Sequence, residues 1–438
     1  MPDTALKTAL KPTDTLALGL MTFALFLGAG NLIFPPQVGQ QAGTDFWPAA
    51  LGFLTTGVGL PVLGIVAVAV AGGGLDRILS PIPKAAATLF GLCIYLSIGP
   101  MFAMPRTATV AYNMGAAPFL EDPSAYVQPL YVGVFFLIAV SLSLMPGRLV
   151  DVVGKWITPI LIALLAILAG ATLLFPQGDF GLPSPDWHRS PFAKGVQSGY
   201  LTMDMLASMV FGILITNAIR NKGIEAPARI TRYTLSAGAI AGVCLAAVYL
   251  PLAFMGATSH EVAPNAESGA LIPAYVDALL GPTGGIILAV VITLACLTTA
   301  IGLLTACGEY FNRLIPAVPY RVIIVALGIS GIAVALQGLG TLIQVSVPVL
   351  SALYPLAIVV IALSLIRPWL SHPARMFNAA LAITLPFGVL EGLHAAGKLS
   401  TLGLASMYEA LPLSDDQTVW LLPALIGIGL GLALQKRA

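Results

Sequence analysis

The chain has 438 residues, 58% of them hydrophobic and 9% charged, where a soluble domain carries roughly 25% charged residues. No soluble fold of this length hides that much apolar side chain, so the composition excludes a water-soluble protein, and a net charge of +1 argues nothing for nucleic acid. What remains is an all-α integral membrane protein, because the apolar signals are spans of about 20 residues and not the alternating ten-residue segments of a barrel.

Twelve apolar runs follow in order, at residues 16–42, 46–71, 85–113, 129–146, 150–175, 193–218, 230–257, 284–311, 320–337, 341–366, 376–396 and 418–435. They predict about 12 transmembrane helices. A short amphipathic piece at 268–280 is too polar to span and reads as a surface lid helix. The polar start, Met1 to Asp14, has no signal-peptide pattern, so the first run stays as a span. Of the 20 lysines and arginines, all but Arg106, Arg189, Lys194 and Lys398 fall on the side that holds both termini. Acids such as Glu121, Asp122, Glu267 and Asp416 gather on the other side. The positive-inside rule then places both termini in the cytoplasm. Cys93, Cys244, Cys296 and Cys307 lie in apolar runs without metal spacing and read as packing residues.

The first run carries Gly28-Ala29-Gly30-Asn31-Leu32-Ile33-Phe34-Pro35-Pro36. Glycine costs a helix about 1 kcal/mol and proline about 3, and main-chain groups bared in hydrocarbon cost several kcal/mol each. The run is therefore either a proline kink packed on a neighbour or a break that lines a polar site, as in transporters. In a break, the carbonyl end suits a cation and the N–H end an anion, and a zwitterion needs both. The sixth run is interrupted in the same way, from Gly195 to Met205. Five spans separate the two interruptions, which predicts a 5+5 inverted repeat in one polytopic domain. Residues 1–175 form the first unit, 193–366 the second, and 376–435 two added helices.

Asp204 is the sharpest polar residue. A carboxylate at membrane depth costs at least about 2.5–3.5 kcal/mol, so it either caps the second half-helix or ligates an ion or ammonium group. Thr298 and Thr299 either bond back to carbonyls one turn up or offer hard hydroxyl oxygens to sodium. Arg106, toward the outer end of the third run, is expected to snorkel or to pair with an outer-gate acid, in a structural or gating role. Glu309 reads as a solvated partner of Arg313, and Glu391 as interfacial. The four histidines, His188, His260, His372 and His394, fall in or near loops, and no metal spacing exists, which leaves an embedded enzyme or a passive channel as minor alternatives.

These motifs resemble the branched-chain amino acid:cation symporter family, the BrnQ-type carriers of bacteria in the amino acid/polyamine/organocation superfamily. The likeness lies in residues 23–36, 99–110, 199–204 with Val210-Phe211-Gly212, 295–300 and 344–350. The resemblance implies a leucine-transporter-like fold with discontinuous helices 1 and 6. It also implies import of leucine, isoleucine and valine across the bacterial cytoplasmic (inner) membrane, driven by a cation gradient. Sodium is favoured. Protons are the alternative, with Asp204 as their carrier. No cofactor, nucleic acid or obligate protein partner is implied besides the coupling ion and the bilayer. By the same resemblance sodium is held by the carbonyls of Ala24, Leu27 and Ala295 and the hydroxyls of Thr298 and Thr299. Substrate sits at Gly28, Ala29, Gly30 and Asn31, where N–H groups of Gly28 to Gly30 take the carboxylate. Tyr200, Leu201, Thr202, Met203 and Asp204 face it, with carbonyls near Tyr200 to Met203 taking the ammonium. An apolar pocket is expected from Phe26, Ile94, Tyr95, Met203 and Met205. Asn113 departs from the pattern, which expects an acid there.

Overall fold

A main chain in hydrocarbon must satisfy its own hydrogen bonds, and the described residues contain helices and no strand. The computed structural model describes residues 9–120, 125–145, 157–264, 266 and 269–436. Lys7, Arg148, Lys155, Arg437, Glu121, Asp122, Glu267 and Ser268 lie outside them.

The first run is two helices, α1 (Pro12–Phe26) and α2 (Ala29–Ala42). The second is α3 (Phe46–Leu54) and α4 (Leu60–Val70), joined by a wide π-type turn. After α5 (Gly74–Ile78), the third run is α6 (Lys84–Leu96) and α7 (Ala103–Val110), with a kink at Gly99 between them. The fourth and fifth are α8 (Val127–Ser143) and α9 (Thr158–Leu174). After α10 (Pro185–Arg189), the sixth is again two helices, α11 (Pro191–Tyr200) and α12 (Asp204–Asn221), bent by 43°. Then come α13 (Pro227–Ala257), α14 (Leu271–Leu314), α15 (Tyr320–Ala335), α16 (Leu339–Ile366), α17 (Pro373–Ala395), α18 (Ala405–Glu409) and α19 (Leu421–Lys436). Among the described residues, each of the twelve apolar runs thus contains a helix or a helix pair. By length and apolarity, six helical stretches among the described residues suffice to cross a bilayer, seven if the bent pair is one span, beside shorter apolar helices of 10–17 residues.

The lid piece is the first arm of α14, which turns at Gly281 (φ 60°) into the eighth run. It is no loose surface helix: Leu271, Ile272, Tyr275 and Val276 are buried.

Two bodies organise the core. In one, α13 packs on α1 and α2, α11 on α3, and α12 on α4. In the other, α14 packs on α7 and α8, and α15 on α8. Small residues let the first body close backbone to backbone, as membrane helices do. A Cβ at Gly39 would stand 1.7 Å from the Ala253 carbonyl oxygen, and one at Gly256 would stand 1.8 Å from that of Pro36. Farther out, α17 packs on α16 and α19 on α17. Glu391 is buried there and not interfacial. It accepts hydrogen bonds from Tyr408 Oη (3.0 Å) and the Val419 N–H (2.8 Å), stapling the 398–420 connection to α17.

Charged ends sort onto two faces. On one, Lys222 meets Asp14 (2.6 Å), Arg313 meets Asp76 (3.6 Å), and Arg367 donates to the Arg77 carbonyl (2.9 Å). Arg313 therefore turns to Asp76 rather than to the Glu309 carboxylate, touching Glu309 through its main-chain carbonyl (3.3 Å). On the other face, His188 meets Asp45 (2.6 Å) and Gln197 Nε2 donates to the Asp416 carbonyl.

Candidate functional site

The first helix breaks at Leu27 and Gly28, whose backbones leave helical geometry (ψ 88° and −160°). The double proline is not part of the break, for α2 runs through Pro35 and Pro36 against α13. Ending α1 at Phe26 frees its last carbonyls, and α14 meets them with two hydroxyls. Thr299 Oγ1 lies 3.1 Å from the Leu27 carbonyl oxygen, 3.2 Å from that of Leu25 and 3.5 Å from that of Ala24. Thr298 Oγ1 lies 3.1 Å from the Ala24 carbonyl oxygen and 2.9 Å from that of Ala295. The oxygens of Ala24, Leu27, Ala295, Thr298 and Thr299 are thus brought together, with Leu25 as an addition the sequence did not suggest. Two hydroxyl hydrogens cannot serve four carbonyls, so lone pairs are in surplus. Hard, uncharged oxygens in excess of donors make a fit environment for a small hard cation.

Beyond the break, the Gly28 N–H donates to Asn31 Oδ1 (3.2 Å). A Cβ on Gly28 would come within 2.9 Å of both Thr299 Cγ2 and Oγ1, and one on Gly30 within 2.9 Å of Thr202 Cα. Glycine at these positions lets the first break touch the oxygen cluster on one side and the second break on the other.

The second break spans Leu201 to Met203, with Met203 in the left-handed region (φ 66°). Thr202 Oγ1 donates to the Gly199 carbonyl (2.9 Å) and accepts from the Asp204 N–H (3.3 Å), so Thr202 tends the helix end. The Asp204 carboxylate turns away from that end. It accepts from Asn31 Nδ2 and from Tyr249 Oη (3.0 Å), while Asn31 Nδ2 also donates to Tyr249 Oη. The carboxylate therefore ties α2, α12 and α13 together rather than capping its own helix.

Arg106 is 2% exposed and does not snorkel, and among the described residues it pairs with no acid. Nη1 donates to the Leu201 carbonyl (2.8 Å), Nη2 donates to Ser346 Oγ on α16 (2.9 Å), and the guanidinium lies 5.5 Å from the centre of the Phe34 ring.

Between the breaks lies a cavity of about 20 Å³, walled by Gly28 to Asn31, Arg106, Thr202, Met203, Asp204 and Thr299, with Phe26, Ala103, Ala207, Phe211 and Leu303 as its apolar side. Of the expected apolar residues, Phe26 and Met203 line it, and Met205, Ile94 and Tyr95 do not; Tyr95 stacks on Tyr310 instead (3.7 Å). The cavity has room for a water-sized guest and is far below the roughly 300 Å³ of an open ligand pocket. A vestibule of about 830 Å³ lies outside it, lined by Gln37, Gln40, Gln41, Asn113 and Ser198 and floored by Phe34 and Leu201. Phe34, Leu201 and Arg106 thus form one thin layer between vestibule and cavity.

The chain that carries this broken-helix site matches known proteins over nearly its whole length. The profile described as branched-chain amino acid transport protein matches residues 11–438. The chain belongs to that family. Among the relatives of this transporter, the branched-chain amino acid transport system 2 carrier protein of Pseudomonas aeruginosa is 49% identical over 431 residues, covering 98% of both chains. The branched-chain amino acid permease BrnQ of Escherichia coli (strain K12) is 43% identical over 430 residues, 98% of this chain and 97% of the permease. Among solved structures, MhsT in complex with L-phenylalanine superposes with a TM-score of 0.58 at 18% identity, over 87% of this chain and 98% of MhsT. Mhp1, a nucleobase-cation-symport-1 family transporter in a closed conformation with bromovinylhydantoin bound, gives 0.66 at 14% identity, over 98% and 96%. These two likenesses show the leucine-transporter-like fold; the family makes the chain a transporter and not an enzyme.

Besides Leu25, sequence reasoning did not single out Tyr249, Ser346 or Phe34 for the transporter's site, nor Phe211 and Leu303 on its apolar side. A tyrosine within the apolar seventh run was the available signal for Tyr249, since a buried hydroxyl needs a partner.

Proposed function

We propose that the transporter is a secondary active symporter that imports leucine, isoleucine and valine with sodium, by alternating access. The observation that carries this reading is the oxygen cluster of Ala24, Leu27, Ala295, Thr298 and Thr299, contiguous through Gly28 with a cavity holding both N–H groups and a carboxylate. Relatives named for branched-chain amino acids support the substrate class.

In this reading sodium enters the oxygen cluster and steadies the end of α1. The substrate carboxylate lies against the N–H groups of Ala29 and Gly30, the Gly28 N–H being engaged by Asn31 Oδ1, and Asp204 with the Tyr200 to Met203 carbonyls receives the ammonium. The branched side chain points to Phe26, Phe211 and Leu303. The face rich in lysine and arginine is cytoplasmic, with both termini, so the vestibule opens outward from the bacterial inner membrane. Residues 1–175 and 193–366 act as the two inverted units, with 376–435 as a buttress. The body of α1 to α4 and α11 to α13 rocks against the body of α7, α8, α14 and α15, and no further protein is required.

The test is leucine uptake into proteoliposomes with sodium and proton gradients imposed separately. A sodium gradient alone is expected to drive accumulation, and Thr299→Ala to abolish it. Normal uptake by Thr299→Ala that follows pH alone would overturn sodium coupling in favour of protons carried by Asp204.

A further inference from the structure

Arg106 has more hydrogen-bonding capacity than the fold uses. Its Nη1 and Nη2 are engaged by Leu201 and Ser346, but its Nε–H has no partner among the described residues. A charged donor shut away from water with nothing to bond is costly, and natural proteins keep such groups where a ligand completes them. Arg106 walls the cavity between the breaks, and so does Asp204. Those are the two charged residues of its wall. The anion already has two donors, from Asn31 and Tyr249; the cation has an unused one.

An α-amino acid carries its two opposite charges on one carbon, and a wall with one fixed charge of each sign matches it. We propose that Arg106 binds the α-carboxylate of the substrate through Nε–H, beside the N–H groups at the start of α2, opposite the ammonium at Asp204. This deepens the amino acid reading above and rests on it. Because Nη1 of the same planar group holds the Leu201 carbonyl, and its face lies over Phe34, a carboxylate on Nε fixes the guanidinium in the orientation that closes the vestibule floor. The substrate's own carboxylate then fastens the layer above it.

The experiment is binding of leucine and of leucinol, which keeps the ammonium and side chain but lacks the carboxylate, to the purified full-length protein in saturating sodium. Arg106→Gln is expected to weaken leucine by about 100-fold, the scale of one charged hydrogen bond, and leucinol far less, so that the preference for leucine collapses. Arg106→Lys, which keeps the charge and loses the fork, is expected to weaken leucine by about tenfold with leucinol again much less affected, and it carries the test alone if the glutamine variant does not fold. Equal losses for leucine and leucinol mean a purely structural arginine and overturn the assignment. Wild-type protein that binds neither compound overturns the amino acid reading itself, and this assignment with it.

Discussion

The two broken helices face the same problem, a main chain uncovered inside the protein, and answer it differently. At Leu27 and Gly28 the freed carbonyls are met by the neutral hydroxyls of Thr298 and Thr299, and no charged side chain takes part. At Leu201 to Met203 the freed carbonyl is met by the Arg106 guanidinium, and the next residue is the Asp204 carboxylate. The first break leaves lone pairs in surplus and fits a guest that arrives with its own positive charge. The second has fixed charges in place and fits a guest with charges of its own to match. On the proposed reading, ion and substrate divide between the two breaks according to the kind of group that repairs each.

That division can be broken one break at a time. The largest effect is expected at the second. Asp204→Asn keeps the size and removes the charge, and leucine binding should fall by at least about 100-fold, since a desolvated charge contact is lost. Titration of the purified variant checks this, and the comparison fails if leucine affinity survives. Next comes Gly28→Ala. Its methyl group would meet Thr299 at 2.9 Å, and the half-saturating sodium concentration for uptake should rise by about tenfold, from overpacking of 1–3 kcal/mol. Leucine binding in saturating sodium should change far less; an equal loss of both would mean the breaks are not separable. The smallest effect is expected for Tyr249→Phe, which leaves Asp204 with Asn31 alone. Leucine should weaken by about fivefold to tenfold, one ordinary hydrogen bond, with sodium dependence unmoved in the same uptake assay.

Both breaks were legible in the sequence, because clustered glycine is costly at helix depth unless the main chain opens there. Their bounds were not. Pro35 and Pro36 look like the interruption by propensity, yet the helix continues through them, held against α13 where Gly39 and Gly256 admit the backbone. Tertiary packing overrode local preference there. The grouping of the Ala24, Leu27, Ala295, Thr298 and Thr299 oxygens was legible because they fall within short stretches of two helices. The partners of Arg106 were not, for Leu201 is 95 positions away and Ser346 is 240. No local pattern announces such a contact, and the sequence offered an acid instead. Asp204 was noticed, but Tyr249 stands 45 positions from it and 218 from Asn31. Met203 and Met205 looked alike, and the left-handed turn at Met203 separates them, one into the cavity wall and the other elsewhere.

Where α2 crosses α13, no side chain stands between the two backbones at Gly39 and Gly256. Such a joint has no rotamers to reshuffle and so cannot yield by degrees. Tyr249 sits on α13 seven residues before Gly256 and reaches Asp204, while Asn31 rides on α2 to the same carboxylate. The welded pair is therefore a lever with both of its prongs on one charge. A tilt of α13 against α2 would therefore act on the group that would hold the substrate's ammonium, and loading that group would pull on the same lever.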